Sequence, residues 1–151
     1  MKGDASLADL NYKLCMGCME PKETEGACPL CGYSPDVPYL PAYLPPKTIL
    51  NDRYIVGKLL RYNGFDSVTM SKVTIREYMP DTLCSRNKDS TVISVKQNCV
   101  AQYKAFMSEF VELNKMLAKM RTLNHINPPI DMFGENNTGY VIFRYIEGMN
   151  L

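Results

Sequence analysis

The sequence predicts an α+β protein that opens with a small cysteine-rich ribbon. Three observations carry this. Four of the six cysteines fall in two Cys-x-x-Cys pairs between residues 11 and 33. Residues 34–48, SPDVPYLPAYLPPKT, hold five prolines and read as a stiff, extended connector. From residue 49 to 151, short β-branched and aromatic runs flank one long stretch of helical period. That is the pattern of an antiparallel sheet of about five strands with a single long helix.

The totals bound the possibilities. A chain of 151 residues holds one ordinary domain, or a small domain plus a very small one. Its 46% apolar and 22% charged residues are those of a soluble globular protein. A net charge of +1 gives no general attraction to nucleic acid or to an anionic membrane. No apolar run approaches the roughly 20 residues of a membrane-spanning helix, so no membrane segment is expected. The opening MKGDASLADLNYK has no apolar signal core. The expected location is therefore cytoplasmic, where thiols stay reduced.

In such a compartment the pattern Cys-x2-Cys-x9-Cys-x2-Cys, formed by Cys15, Cys18, Cys28 and Cys31, reads as a metal site. Each knuckle, CMGC and CPLCG, is a tight turn that points two sulfurs inward. Gly17 and Gly32 supply turn positions. Two knuckles complete a closed S4 set, which suits one structural zinc ion and leaves no open position for catalysis. Disulfides, or iron in place of zinc, are the alternatives. A segment of about 20 residues has too little apolar core to fold alone, and metal binding of roughly 10–16 kcal/mol would order it. Lys13 and Lys22 stand against Glu20, Glu23 and Glu25, with no arginine, so the ribbon is acidic. A nucleic-acid surface should be basic, so no nucleic acid is expected as a partner. Cys84 and Cys99 read as ordinary thiols.

In the larger piece, Arg53–Leu60 reads as a strand and Asn63-Gly64 as a turn. Ser67–Ser71 and Val73–Tyr78 read as two more strands, the second ended by Pro80. Thr91–Val95 is a short extended stretch. A helix is expected over about Val100–Thr122, with Tyr103, Phe106, Met107, Phe110, Leu113, Leu117 and Met120 on its buried stripe. Ile126–Ile130, with two prolines, reads as a loop. Asp131–Glu135 and Tyr140–Ile146 form a hairpin about the turn at 136–139.

The order of these segments resembles the N-terminal lobe of bacterial serine/threonine protein kinases. RYIVGKLL is similar to the lobe's first strand, and RYNGFD lies where its glycine-rich loop belongs. VTIREYMP is similar to the Val-Ala-Ile-Lys strand with the Glu-Tyr-Phe-Pro that follows it in one subgroup. The long helix corresponds to the regulatory helix αC, and DMFGENNTGYVIFRYIEGMNL to the last two strands and hinge. In that subgroup a zinc ribbon and a proline-rich linker can precede the kinase domain.

The resemblance also shows what is altered. Aligned on Leu60, the three glycine positions of G-x-G-x-x-G hold Arg61, Asn63 and Asp66, and Gly64 is not one of the three. Glycine lets backbone amides approach ATP phosphates, and Asp66 would set a carboxylate near them. The strand-and-turn stretch before Val73 also looks several residues short. Arg76 stands at the lysine position, where its planar fork differs from an ammonium. Leu113 falls at the αC glutamate position, with Glu109 and Glu112 nearby in other registers. The His-Arg-Asp loop and the Asp-Phe-Gly metal motif do not occur in the sequence, and the single histidine, His125, reads as a packing or capping residue.

The resemblance therefore implies a pseudokinase N-lobe with a zinc ribbon. A vestigial nucleotide site at best remains at Arg76, Asn63 and Gly64, and no ATP is expected. The implied role is protein interaction or regulation, through a protein partner or self-association on the exposed lobe face. Two alternatives stand: the ATP-binding lobe of a serine/threonine kinase whose catalytic lobe lies outside this chain, and a nucleic-acid-binding zinc ribbon protein.

Overall fold

A computed structural model describes residues 13–23, 25–35, 43–58, 63–87, 90–120 and 127–146. The chain divides into two compact units, Met1–Thr74 and Ile75–Leu151.

In the first unit, strands β1 (Ile49–Leu50), β2 (Tyr54–Val56), β3 (Asn63–Asp66) and β4 (Ser71–Glu77) pair antiparallel in that order. Strand β4 runs through the boundary, and its last three residues belong to the second unit. Ile55 lies opposite Phe65, so the two side chains share one face of the sheet. Leu14, Met16 and Met19 from the cysteine segment complete the core with them, and Tyr33 packs against it half-buried. The cysteine segment is thus seated on β2 and β3.

Two expectations for this unit change. Asn63-Gly64 is the start of β3 rather than a turn, and Ser67–Met70 is the turn rather than part of a strand. The cause is Asp66. Its carboxylate accepts the backbone N–H groups of Val68 (2.9 Å) and Thr69 (3.4 Å) and the Thr69 hydroxyl (2.9 Å), which draws the chain into a tight loop. The C-terminal end of the proline-rich stretch is also folded onto the sheet. Lys47 N–H donates to the Val56 carbonyl, Val56 N–H donates to the Thr48 carbonyl, and Leu44 is buried. Residues 36–42 of that stretch lie outside the described residues, as do Leu60 and Arg61 of the loop.

In the second unit, β4 pairs in the order β4-β8-β7, with β7 (Pro129–Glu135) and β8 (Thr138–Arg144). A separate hairpin joins β5 (Cys84–Arg86) to β6 (Ile93–Val95). A 3-10 turn, Gln97–Cys99, leads into the one long helix, α1 (Val100–Ala118). The expected Asn136–Gly139 turn tightens to Asn136-Asn137, both left-handed with φ of 56° and 62°. Two consecutive residues of positive φ match the twist of a two-residue hairpin, and asparagine tolerates that region. Strand β7 begins at Pro129, inside the segment expected as a loop. It ends the strand order, and a proline as first residue of such a strand leaves no ladder donor missing. Strand β5 had no counterpart among the expected elements.

The helix buries most of the stripe its sequence suggests, but not Phe106 or Leu113. Tyr103 and Asn114 are buried, and Met107, Phe110, Val111 and Leu117 are half-buried. Leu113 is 55% exposed and Phe106 42%. Spacings of four, three and four through 103, 107, 110 and 114 keep one face, whereas 106 and 113 lie about 70° and about 90° off its centre. Asn114 donates from Nδ2 to the Phe110 carbonyl at 2.7 Å, while its buried Oδ1 meets no donor among the described residues. Against this stripe pack Tyr78, Leu83, Cys84 and Ile93. Tyr78 is the centre, tilted against the Tyr103 ring (5.2 Å between centroids) and the Phe110 ring (5.3 Å).

Candidate metal centre

The knuckles of the cysteine segment are built alike. Met19 N–H returns to the Cys15 carbonyl (2.7 Å), and Gly32 N–H returns to the Cys28 carbonyl (2.8 Å). The residue closing each turn is left-handed, with φ of 61° at Met19 and 79° at Gly32. Glycine takes that conformation freely; methionine does so at a cost of roughly 1–2 kcal/mol. Burial of the Met19 side chain against β2 and β3, about 1.5–3 kcal/mol, offsets it. Within the turns, Gly17 N–H points at the Cys15 sulfur (3.3 Å) and Leu30 N–H at the Cys28 sulfur (3.4 Å). Gly17 is required for a steric reason, since a Cβ there would lie 2.5 Å from the Tyr33 Cβ.

The Sγ atoms of Cys15, Cys18, Cys28 and Cys31 all lie within 4.8 Å of one another. Cys15 and Cys31 are 3.6 Å apart and Cys18 and Cys28 are 3.9 Å apart. Tetrahedral zinc with bonds of 2.3 Å requires sulfurs about 3.8 Å apart. The two measured separations bracket that value, so the four cysteines could hold one zinc ion. The Cys31 and Leu30 N–H groups draw the Cys28 thiol down to about 6 despite burial. Burial pushes Cys15 up, and pushes Cys18 up to about 12. The N–H groups of the second knuckle thus favour the thiolate form at Cys28, the form in which a cysteine binds a metal.

The residues expected around a nucleotide lie on strands β3 and β4. Asn63 and Gly64 lie in β3, and the Asn63 Nδ2 donates to the Gly17 carbonyl in the first knuckle (3.2 Å). Asp66 is fully buried and holds Arg53, Nε to Oδ1 and Nη2 to Oδ2, both at 2.8 Å. Its carboxylate is thus committed to Arg53 and the 67–70 turn rather than presented to phosphates. Arg76 is exposed, its guanidinium 5.3 Å above the Phe143 ring. Among the described residues no carboxylate pairs with it. Glu112 pairs instead with Lys115 along the helix surface (3.6 Å). His125 lies outside the described residues.

One cluster had no sequence signal. Glu77, next to Arg76, is buried with Arg86: Nη1 reaches Oε1 at 3.0 Å and Nη2 reaches Oε2 at 2.5 Å. The Tyr140 hydroxyl donates to the same Oε2 (2.6 Å), and Arg86 Nε donates to the Thr91 carbonyl (2.9 Å). Each charge is met by several partners, as burial demands. The seating of the knuckle on β2 and β3 was also missed, although two methionines beside the cysteines were a signal for it.

No family model matches the chain, and no curated protein matches it significantly. Among solved structures, the apo form of PpkA-294 matches with a TM-score of 0.64 at 20% identity, over 69% of this chain and 39% of that one. The chain thus spans well under half of that structure. Among the described residues no helix is long and apolar enough to cross a membrane. The likeness shows a kinase-like fold, joined in this chain to a cluster of four cysteines fit to bind a metal.

Proposed function

We propose that the chain is a zinc-binding pseudokinase N-lobe, a protein-interaction or regulatory module without phosphotransfer of its own. The observation that carries this reading is the setting of Arg76. In a working lobe the lysine at that place pairs with a helix glutamate and reaches the α- and β-phosphates. Here an arginine stands over Phe143 instead, and the aligned helix position is Leu113. The commitment of Asp66 to Arg53 points the same way. Zinc at Cys15, Cys18, Cys28 and Cys31 is structural in this reading, because four protein ligands leave no position for water. Leu113 and Met116, both exposed on α1, support a protein partner.

The test is nucleotide titration of the purified protein, followed by melting temperature. A ligand bound by the native state raises the midpoint by mass action. No shift is expected with millimolar ATP, with or without Mg²⁺; a clear Mg²⁺-dependent rise overturns the proposal. Such a rise would favour a second reading, the ATP-binding lobe of a larger serine/threonine kinase.

A further inference from the structure

The first knuckle does more than present sulfurs. Its two inner residues, Met16 and Gly17, lie between the ligands Cys15 and Cys18, and both carbonyls face strands β2 and β3. Met16 O accepts the backbone N–H of Lys58 at 2.7 Å. Gly17 O accepts the Asn63 side chain at 3.2 Å. One residue before Lys58, Gly57 N–H donates to the Asn63 carbonyl at 2.6 Å, which ties the end of β2 to the start of β3. The knuckle thus bonds to both strands where they are themselves joined.

The fit at that point is tight. A Cβ on Gly57 would lie 2.6 Å from Met16 O and 2.3 Å from the Met19 Cε. Met16 and Met19 continue the contact into the core with Ile55 and Phe65. Outside the core, Lys72 on β4 reaches Glu20, just past the knuckle, at 2.8 Å. Every one of these contacts depends on the chain path through Cys15–Glu20. That path includes a left-handed Met19 next to Cys18, which metal bound at Cys15 and Cys18 would help to hold.

We propose that metal occupancy at the four cysteines controls the order of the β2–β3 hairpin, so that the cysteine segment acts as a metal-dependent latch on it. The inference rests on the zinc reading above. With the ion bound, the knuckle is fixed and Met16 O, Gly17 O, Met19 and Glu20 hold the hairpin. Without it, nothing joins the two knuckles, the left-handed turn relaxes, and the hairpin loses its contacts with Met16, Gly17, Met19 and Glu20. By linkage the coupling runs both ways: a hairpin that cannot be gripped weakens the metal site by the same factor.

The test is backbone hydrogen exchange on the full chain with zinc bound and after chelation under reducing conditions, with zinc content measured alongside. Chelation should speed exchange in peptides covering Tyr54–Lys58 and Asn63–Asp66 by about tenfold or more, while α1 stays as protected as before. Restoring zinc should restore protection. Met19→Gly removes the gripping side chain and the backbone strain but no ligand. It should expose the same peptides and weaken zinc affinity by a matching factor in competition with a chelating dye. If that variant fails to fold, Asn63→Ala serves, with the same signs. Zinc removed with the hairpin unchanged overturns the latch alone. Loss of protection throughout the chain, α1 included, also overturns it, since the effect would not be local. A protein that binds no zinc in any preparation overturns the zinc reading and the latch together.

Discussion

Asp66 holds Arg53 through both oxygens, each 2.8 Å from a guanidinium nitrogen, while the same carboxylate gathers the 67–70 turn. Burial pushes its carboxyl up, but Arg53, the Val68 N–H and the Thr69 hydroxyl outweigh this and hold it below the usual carboxylate range. Asp66→Asn keeps the shape but removes the charge that faces Arg53 and should cost about 3 kcal/mol in urea unfolding. That is the low end for a broken buried pair, because 32% of the Arg53 side chain stays in water. A value under about 0.5 kcal/mol, usual for ordinary surface changes, would contradict the pairing.

The same pair sets an acid dependence. A depressed folded-state value means the unfolded chain takes up the proton first. The stabilisation is complete above the unfolded value of about 3.9 and is lost as pH falls through the lower folded one. Unfolding followed from pH 6 down to pH 2 should therefore show a loss in the native sequence that is smaller in Asp66→Asn.

Zinc retention should follow pH with the same sign. Protons compete with the ion for all four sulfurs, so zinc binding should weaken as pH falls. Zinc release to a coloured chelator should therefore rise on acidification. Cys28→Ser should abolish stoichiometric binding at every pH while α1 remains folded by circular dichroism.

Glu77 and Arg86 are both essentially out of water, with side-chain exposures of 1% and 0%. Glu77→Gln removes the carboxylate that meets Arg86 through two nitrogens and should cost about 3–5 kcal/mol. Tyr140→Phe removes a single bond to the charged oxygen and should cost about 1.5–3 kcal/mol. Equal losses in the two variants would mean that the carboxylate acts only as an acceptor for Tyr140.

Leu113→Glu is a direct check on the helix face. At 55% exposure the change should move stability by no more than about 0.5 kcal/mol. Tyr103→Ala, on the buried stripe, should cost about 3 kcal/mol or more. A large loss at Leu113 would restore the stripe that the apolar spacing suggests.

Much of this protein was legible in the order of its residues. Local signals sufficed where the cause was local: the spacing of Cys15, Cys18, Cys28 and Cys31, the long period of α1, and the β7–β8 hairpin about Asn136-Asn137. Each depends on neighbours within a few residues, and turn chemistry or helical spacing records them directly. Tertiary structure decided the rest. A helix with apolar residues on more than one side buries whichever face its partners cover, so Tyr78 and β5–β6 selected Tyr103 and Phe110 over Phe106 and Leu113. A carboxylate takes the cation that folding brings to it, so Asp66 went to Arg53 and Glu77 to Arg86, across 13 and 9 positions of chain. The seat of the first knuckle on Lys58 and Asn63 is the clearest case. Its carbonyls are backbone groups that every residue carries, and only the path of the folded chain decides which of them meet a donor.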